Sequence, residues 1–223
     1  MTEALSPDAA APEAMDEEVD AATKAAVFAT AERLFAVEGF QKVSVRDITA
    51  QAGVNLASVN YHFGSKDALL FEIFRRRAGA LNRERARRLH EANDRHGGKP
   101  PLREILEALM GPPLRWGAHD SDRRISVQFL IRARSEGTPE MRQALANDVS
   151  HLVRFAEALI AACPHLQPED VYWRLHFCLG IQHNNRFVEF ERLDLLSKGL
   201  TQGSDNESLL VRMLDFAEAG FRA

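Results

Sequence analysis

"GVNLASVNYHFGSK", residues 53–66, sets two asparagines, a tyrosine, a histidine and a lysine on one short element bracketed by glycines. Its apolar thread is thin: Val54, Val59 and Phe63. Val59 and Phe63 stand four apart and so share one side of a helix, while most of the polar residues face away from it. Burying that many polar groups without partners is costly. The stretch reads as a short helix held by a narrow apolar seam, with an outer face kept for something other than the protein interior.

The flanking sequence extends the helical reading. Upstream, Val27, Ala31, Leu34 and Phe35 recur at helical spacing and Gly39 ends the run. Ser44 with Asp47 three residues later forms a capping-box signal, and Val45, Ile48 and Ala52 supply the buried face of a second helix that Gly53 closes. The third helix spans about Asn55 to Phe63. Gly64 and Ser65 stop it and cap a fourth helix that begins "KDALLFEIF". No alternating strand pattern competes. Three short helices with a glycine turn between the last two make a helix-turn-helix unit.

Beyond that unit, residues 69–93 read as one long helix, apolar at first and strongly basic later. Further helical runs are expected at about 101–116, 121–135, 138–162, 168–195 and 206–222. Thr138-Pro139-Glu140 is a helix start, with a cap, a proline at the first position and an acid in the first turn. Ser204 with Glu207 gives a weaker capping box for the last helix. The fold class is all-α: an N-terminal three-helix helix-turn-helix module plus a larger C-terminal helical domain. The expected division is a disordered acidic tail at 1–22, the helix-turn-helix domain at 23–68 and the larger domain at 69–223.

Charge is unevenly spread. The formal balance is −4, yet residues 1–22 hold seven acids and no Lys or Arg, so the remainder carries +3. That leader is rich in Ala, Pro and acid and lacks aromatics, a composition that buries too little surface to offset its ordering entropy. Two cysteines, Cys163 and Cys178, cannot build a disulfide framework and suit a reducing compartment. The N-terminus lacks the basic and apolar regions of a signal peptide, and no apolar run approaches the roughly 18 residues that span a bilayer. A cytoplasmic protein without a membrane partner is expected.

Residues 24–75 resemble the TetR family of transcription regulators. The resemblance rests on "AERLFAVEGFQKVSVRDITAQAGVNLASVNYHFGSKDALL", with its aromatic-Gly-Phe turn zone, "SVRDITAQAGV", and a helix ending in His-Phe before a capped Ser-Lys. It implies a homodimer that places two such modules in successive major grooves, and a C-terminal domain that binds a small molecule and releases DNA. One departure stands out: Asn60 occupies a place where the family commonly has tyrosine. The Asn-Tyr-His-Phe variant is similar to a subgroup with varied effectors, some acyl or hydrophobic.

The residues themselves suit a duplex. Phosphate contacts position a reading helix and a few base-edge contacts give it sequence preference. Lys66 and Tyr61 fit the phosphate role. So does Ser44, at a helix N-terminus where oriented N–H groups favour an anion, although Ser44 and Asn55 also read as plain caps. Arg46 matches guanine and Asn60 matches adenine by paired hydrogen bonds, with solvated surface the other reading of Arg46. Asn55, Ser58 and His62 are further candidate contacts. Leu56 reads either as core edge or as a methyl contact to thymine. The basic run of Arg75, Arg76, Arg77, Arg83, Arg85, Arg87 and Arg88 adds phosphate attraction at its near end or is a solvated helix face.

In the larger domain, Trp173, Phe177, Gly180, Ile181, Asn184 and Val188 form an apolar stripe at helical spacing. With Leu209, Met213, Phe216 and Ala217 it reads either as a four-helix dimer interface or as an internal core helix. The middle helices then supply a pocket, for which Leu106, Leu109, Met110, Trp116, Phe129, Leu130, Phe155, Leu159 and Phe177 are candidates, with Arg132, His176 or His183 as a polar grip. No C-x-x-C or H-E-x-x-H spacing points to a metal, and no nucleophile elbow, phosphate-cradling loop or dinucleotide fingerprint points to catalysis or a cofactor. The expectation is a ligand-responsive repressor released from a palindromic DNA operator by a small, hydrophobic or acyl effector. An effector-independent helix-turn-helix protein and an all-α enzyme are the other readings.

Overall fold

Side-chain caps set the starts of five of the described helices. The computed structural model describes residues 11–119, 121–184, 187–201 and 205–223, with backbone alone at 11–15, 119, 121–122, 183–184 and 187–191. The N-terminal elements are α1 (Ala11–Glu38), α2 (Val45–Ala52) and α3 (Leu56–Phe63). Ser44 caps α2 through the expected box with Asp47, and Gly53 ends it in the left-handed conformation at φ 67°, which a Cβ would disfavour. Asn55 caps α3, and Ser65 caps the long α4 (Lys66–Arg95).

Seven helices follow among the described residues: α5 (Leu102–His119), α6 (Ser121–Glu136), α7 (Pro139–Asn147), α8 (Ser150–Ala162), α9 (Pro168–Asn184), α10 (Phe187–Leu196) and α11 (Asn206–Arg222). Among the described residues no helix is long and apolar enough to cross a membrane.

Three boundaries differ from the sequence reading. α1 begins by Ala11, inside the stretch that composition assigns to a disordered tail; its alanines and early acids favour a helix once the downstream turns are docked. The run expected over 138–162 is broken at Asp148 and Val149. There Asp148 leaves helical geometry at ψ 81° and its carboxylate accepts from the Ser150 hydroxyl at 2.7 Å, a side-chain bond that competes with the helix. The cap of α11 is Asp205, whose side chain accepts from the Ser208 amide at 2.7 Å; Ser204 lies outside the described residues.

Two apolar cores result. One joins α4, α5, α8, α9 and α11 around Ile105, Leu106, Leu109, Phe155, Leu159 and Phe221. The other unites α1, α2, α3 and the start of α4, and takes in Phe129 and Ala133 from α6 and Met141 from α7. Phe40 stacks between Phe35 and Phe129 with ring centroids 5.8 and 5.0 Å away. The N-terminal helices therefore share their core with α6, which together with the continuous α4 links them to the larger domain.

Candidate nucleic-acid interface and cavity

α3 is held from beneath by Val59, which is fully buried, and by half-buried Phe63. Full burial of such a side chain contributes about 1.5–3 kcal/mol, which Val59 realises and Phe63 realises in part. The outer face is open. Asn60 and Tyr61 are exposed, Tyr61 to 78%, and Asn55, Leu56 and Arg46 lie exposed beside them. Arg46 has no ion-pair partner among the described residues. Asn55 spends its side-chain oxygen on the Ala57 amide at 3.0 Å. Leu56, 44% exposed, belongs to the surface and not to the core edge. Ser58 is half-buried on the flank.

Three candidate contacts stand differently. The Ser44 hydroxyl donates to Asp47 Oδ2 at 2.6 Å while its backbone amide donates to the same oxygen at 2.8 Å. Those bonds hold the Asp47 carboxyl below its usual range and leave the Ser44 hydroxyl engaged as a cap. His62 turns inward: its side chain is 5% exposed and its Nε2 lies 3.6 Å from Asp20 Oδ1 of α1, so it is not presented with Asn60 and Tyr61. Lys66 is half-buried, with Nζ 5.9 Å from the Phe35 ring centroid, a cation–π position within reach of solvent.

The basic run of α4 is largely neutralised within the protein. Arg75 and Arg76 share Glu72, Arg77 pairs with Glu32, Arg88 with Glu84, and Arg87 with Glu84 and Glu91. Arg85 is buried at 6% exposure. Of this run only Arg83 is exposed without a carboxylate partner among the described residues, which matches a solvated, internally paired helix face.

A cavity of about 520 Å³ lies among α4, α5, α6, α7, α8 and α9, within the size range of small-molecule sites. Phe71, Phe74, Leu114, Leu130, Ile131 and Leu152 contribute apolar wall; Asn82, Arg85, Arg134, His151 and Gln182 contribute polar groups. Arg85 Nε donates to the Leu109 carbonyl at 2.9 Å and its Nη2 to Gln182 Oε1 at 2.8 Å, while Gln182 Nε2 donates to the Met110 carbonyl at 3.1 Å. Pro113, inside α5, explains the first bond, because it has no N–H for the carbonyl four residues earlier, that of Leu109. Burial holds the Arg85 guanidinium down to about 10, aided by the charge of Arg134.

Family models match the chain in two places. Residues 27–73 match the model for bacterial regulatory proteins of the tetR family, and residues 107–220 match the tetracyclin repressor-like C-terminal domain. The chain belongs to the TetR family. TetR-family proteins are DNA-binding transcription regulators that act as dimers and bind small ligands.

Solved structures share the fold. A candidate TetR-family regulator from Shewanella sp. PV-4 is 19% identical with a TM-score of 0.55, over 89% of this chain and 95% of that one. NalD, the secondary repressor of the MexAB-OprM multidrug efflux pump in Pseudomonas aeruginosa, is 18% identical with a TM-score of 0.55, over 92% and 97%. A candidate transcriptional regulator from Saccharomonospora viridis in complex with choline is 20% identical with a TM-score of 0.54, over 87% and 95%. No curated protein matches the sequence.

For this TetR-family chain the apolar residues expected at a pocket lie elsewhere. Leu106, Leu109, Met110, Phe129, Phe155 and Leu159 are at most 1% exposed and fill the two cores, where close packing leaves no wall for a ligand. Trp116 stacks with Arg123 at 5.4 Å over a separate cleft, and Phe177 is 56% exposed on the outer face of α9. Leu130 does line the cavity. Arg132 instead clamps α6 to the end of α1, donating to the Ala36 and Val37 carbonyls at 2.8 and 2.9 Å. His176 sits outside with Trp173 and Phe177, and the His183 side chain lies outside the described residues.

The sequence reading passed over Arg134, His151 and Gln182, and set Arg85 in the basic run and not at a cavity. One signal was present. Leu81, Arg85 and Leu89 repeat every four residues on the buried side of α4, so an arginine occupies an apolar register.

Proposed function

We propose that this protein is a dimeric, ligand-responsive transcription regulator of the repressor type. Two α3 helices occupy successive major grooves of a near-palindromic duplex, and a small molecule in the 520 Å³ cavity releases them. Residues 23–68 act as the reading domain and 69–223 as the effector and dimerisation domain, in the cytoplasm with the DNA. Arg46 and Asn60 read base edges; Tyr61, Asn55, Ser58 and Lys66 hold the backbone, and Leu56 supplies an apolar contact.

The observation that carries this reading is the double use of α6. One side of α6 walls the cavity through Val127, Leu130, Ile131 and Arg134. Its other side is built into the N-terminal core through Phe129 and Ala133, and Glu136 accepts from the Phe40 amide at 2.8 Å. A ligand that shifts α6 shifts the base of the reading domain, and by linkage DNA disfavours that ligand to the same degree.

Dimerisation is supported by an uncovered apolar face. Trp173 and Phe177 on α9 are each 56% exposed and Phe216 on α11 is 69% exposed. Exposed large apolar groups in such a cluster mark an interaction surface. A Cβ at Gly180 or Gly220 would meet nothing within 4 Å, so two helices of a second copy are free to approach closely. Ile181 and Leu209 are half-buried at its edge. Met213 is 4% exposed and Ala217 is equally covered, so both pack inside their own protomer, and the Asn184 and Val188 side chains lie outside the described residues.

The test begins with a duplex selected from random sequence and a ligand found by thermal shift. The ligand should weaken duplex binding by wild type, measured by fluorescence anisotropy, and should have no effect on Leu130→Trp, whose larger side chain fills the cavity. A ligand that binds in competition with that substitution yet leaves duplex affinity unchanged rejects the coupling.

A further inference from the structure

The cavity carries more positive charge than its fold requires. Arg85 is 6% exposed and has no carboxylate partner among the described residues; its nitrogens reach only neutral acceptors, the Leu109 carbonyl, Gln182 Oε1 and Asn82 Oδ1. The orphaned Leu109 carbonyl accounts for a donor at this place. It does not account for a charge, since a neutral amide donates as well. A buried, unpaired guanidinium is costly, and the cost stands until an anion meets it.

The surroundings sharpen the point. Arg134 lines the same cavity and has no ion-pair partner among the described residues. Burial, and then the charges of Arg85 and Arg134, hold the His151 imidazole below its usual range against the opposing charge of Asp148. Asp148 is the one acid among the cavity residues described; its Oδ1 accepts from the Ser150 hydroxyl at 2.7 Å and lies 4.0 Å from His151 Nδ1, so it faces the imidazole and pairs with neither arginine. Of the other arginines, Arg75 is neutralised by Glu72 and Arg83 is exposed. Most of the remaining wall is hydrocarbon.

We propose that the cavity binds an apolar carboxylic acid in its ionised form, the carboxylate meeting Arg85 and Arg134 and the hydrocarbon body lying against Phe74, Leu130 and Ile131. This rests on the cavity being the effector site and names the chemistry it selects. Guanidinium forks match a carboxylate by paired hydrogen bonds, and a dry setting strengthens them. A neutral ligand of the same shape leaves the guanidiniums unmatched, and a cationic one adds repulsion.

Isothermal titration with the full-length protein decides it, using decanoate and phenylbutyrate against the alcohol and trimethylammonium compounds of matching skeleton, all below micelle formation. An acid should bind about tenfold more tightly than its alcohol or more, as a charge-assisted bond predicts, and the ammonium compounds should not bind. Arg134→Gln should cost the acid about tenfold and leave the alcohol unchanged. Arg85→Gln keeps a donor for the Leu109 carbonyl and should do the same; should it fail to fold, Arg134→Gln alone carries the test. Leu130→Trp should abolish binding of both. Alcohol or ammonium binding that equals acid binding and is lost in Leu130→Trp overturns the proposal while the cavity stands as an effector site. Acid binding that survives Leu130→Trp, or no binding by any compound, overturns the proposal and the effector reading of the cavity with it.

Discussion

Replacing Glu32 by alanine should cost this protein about 2–3 kcal/mol of folding stability. Glu32 is 4% exposed on α1 and takes bonds from Arg77 Nε at 2.7 Å, Arg77 Nη2 at 2.5 Å and the Ser126 hydroxyl at 2.8 Å. Three helices, α1, α4 and α6, thus meet on one carboxylate. Removing one partner of a buried ion pair typically costs about 3–5 kcal/mol because the other charge is stranded. Here the Arg77 side chain is 34% exposed, so it recovers water and the upper part of that range is out of reach.

At about 2–4 °C per kcal/mol for a chain of this size, the melting temperature should drop by roughly 4–12 °C. Urea melts followed by circular dichroism, at one fixed protein concentration because a dimer's stability depends on it, give the free energy directly. Glu32→Gln, which keeps an acceptor, should lose less. Glu32→Ala combined with Arg77→Met should recover part of the loss, since no stranded charge is left. A single variant within about 0.5 kcal/mol of wild type refutes the buried-hub argument; a double variant as unstable as the single one shows that stranding is not the cost.

Tyr61→Ala should leave stability within about 0.5 kcal/mol, because the side chain is 78% exposed, yet weaken binding to every duplex in a gel-shift titration. Arg46→Ala should relax preference at one base pair by about 1–3 kcal/mol, visible as a changed logo in a selection from random sequence. Phe177→Asp should give a folded monomer by light scattering, since it places a charge on the exposed apolar face of α9. Burial pushes the Cys178 thiol up to about 11, so iodoacetamide at mildly alkaline pH should label it only after denaturation, as mass spectrometry will read.

What the sequence discloses here is what local chemistry decides. Ser44 with Asp47, Gly53, Asn55, Ser65 and Thr138 act as caps within four residues of themselves, and each does so in the fold. His62 shows the opposite case. It sits three residues beyond Val59, on the flank of the seam, and only the approach of α1, with Asp20, turns it inward. Most pocket candidates lie away from the cavity for a related reason: a leucine facing a core and one facing a cavity have the same periodicity, and only the packing of six helices separates Leu106 from Leu130.

Pro113 and Arg85 are distant in sequence and inseparable in the fold. The proline removes a helix bond from α5; the arginine, from α4, replaces it and brings a charge to the cavity wall. An anion that draws the guanidinium toward itself therefore competes with the Leu109 carbonyl and strains the α4–α5 seam. In the proposed mechanism α4 carries that strain to the reading domain. Arg85 lies 19 residues from Lys66 on one continuous helix, about 28 Å at 1.5 Å per residue. A tilt of about 5° about the Arg85 end moves Lys66, and with it the end of α3, by about 2.5 Å over that length. Base-edge hydrogen bonds hold only over a few tenths of an ångström, so in the proposed complex a displacement of that size is sufficient to unseat Arg46 and Asn60.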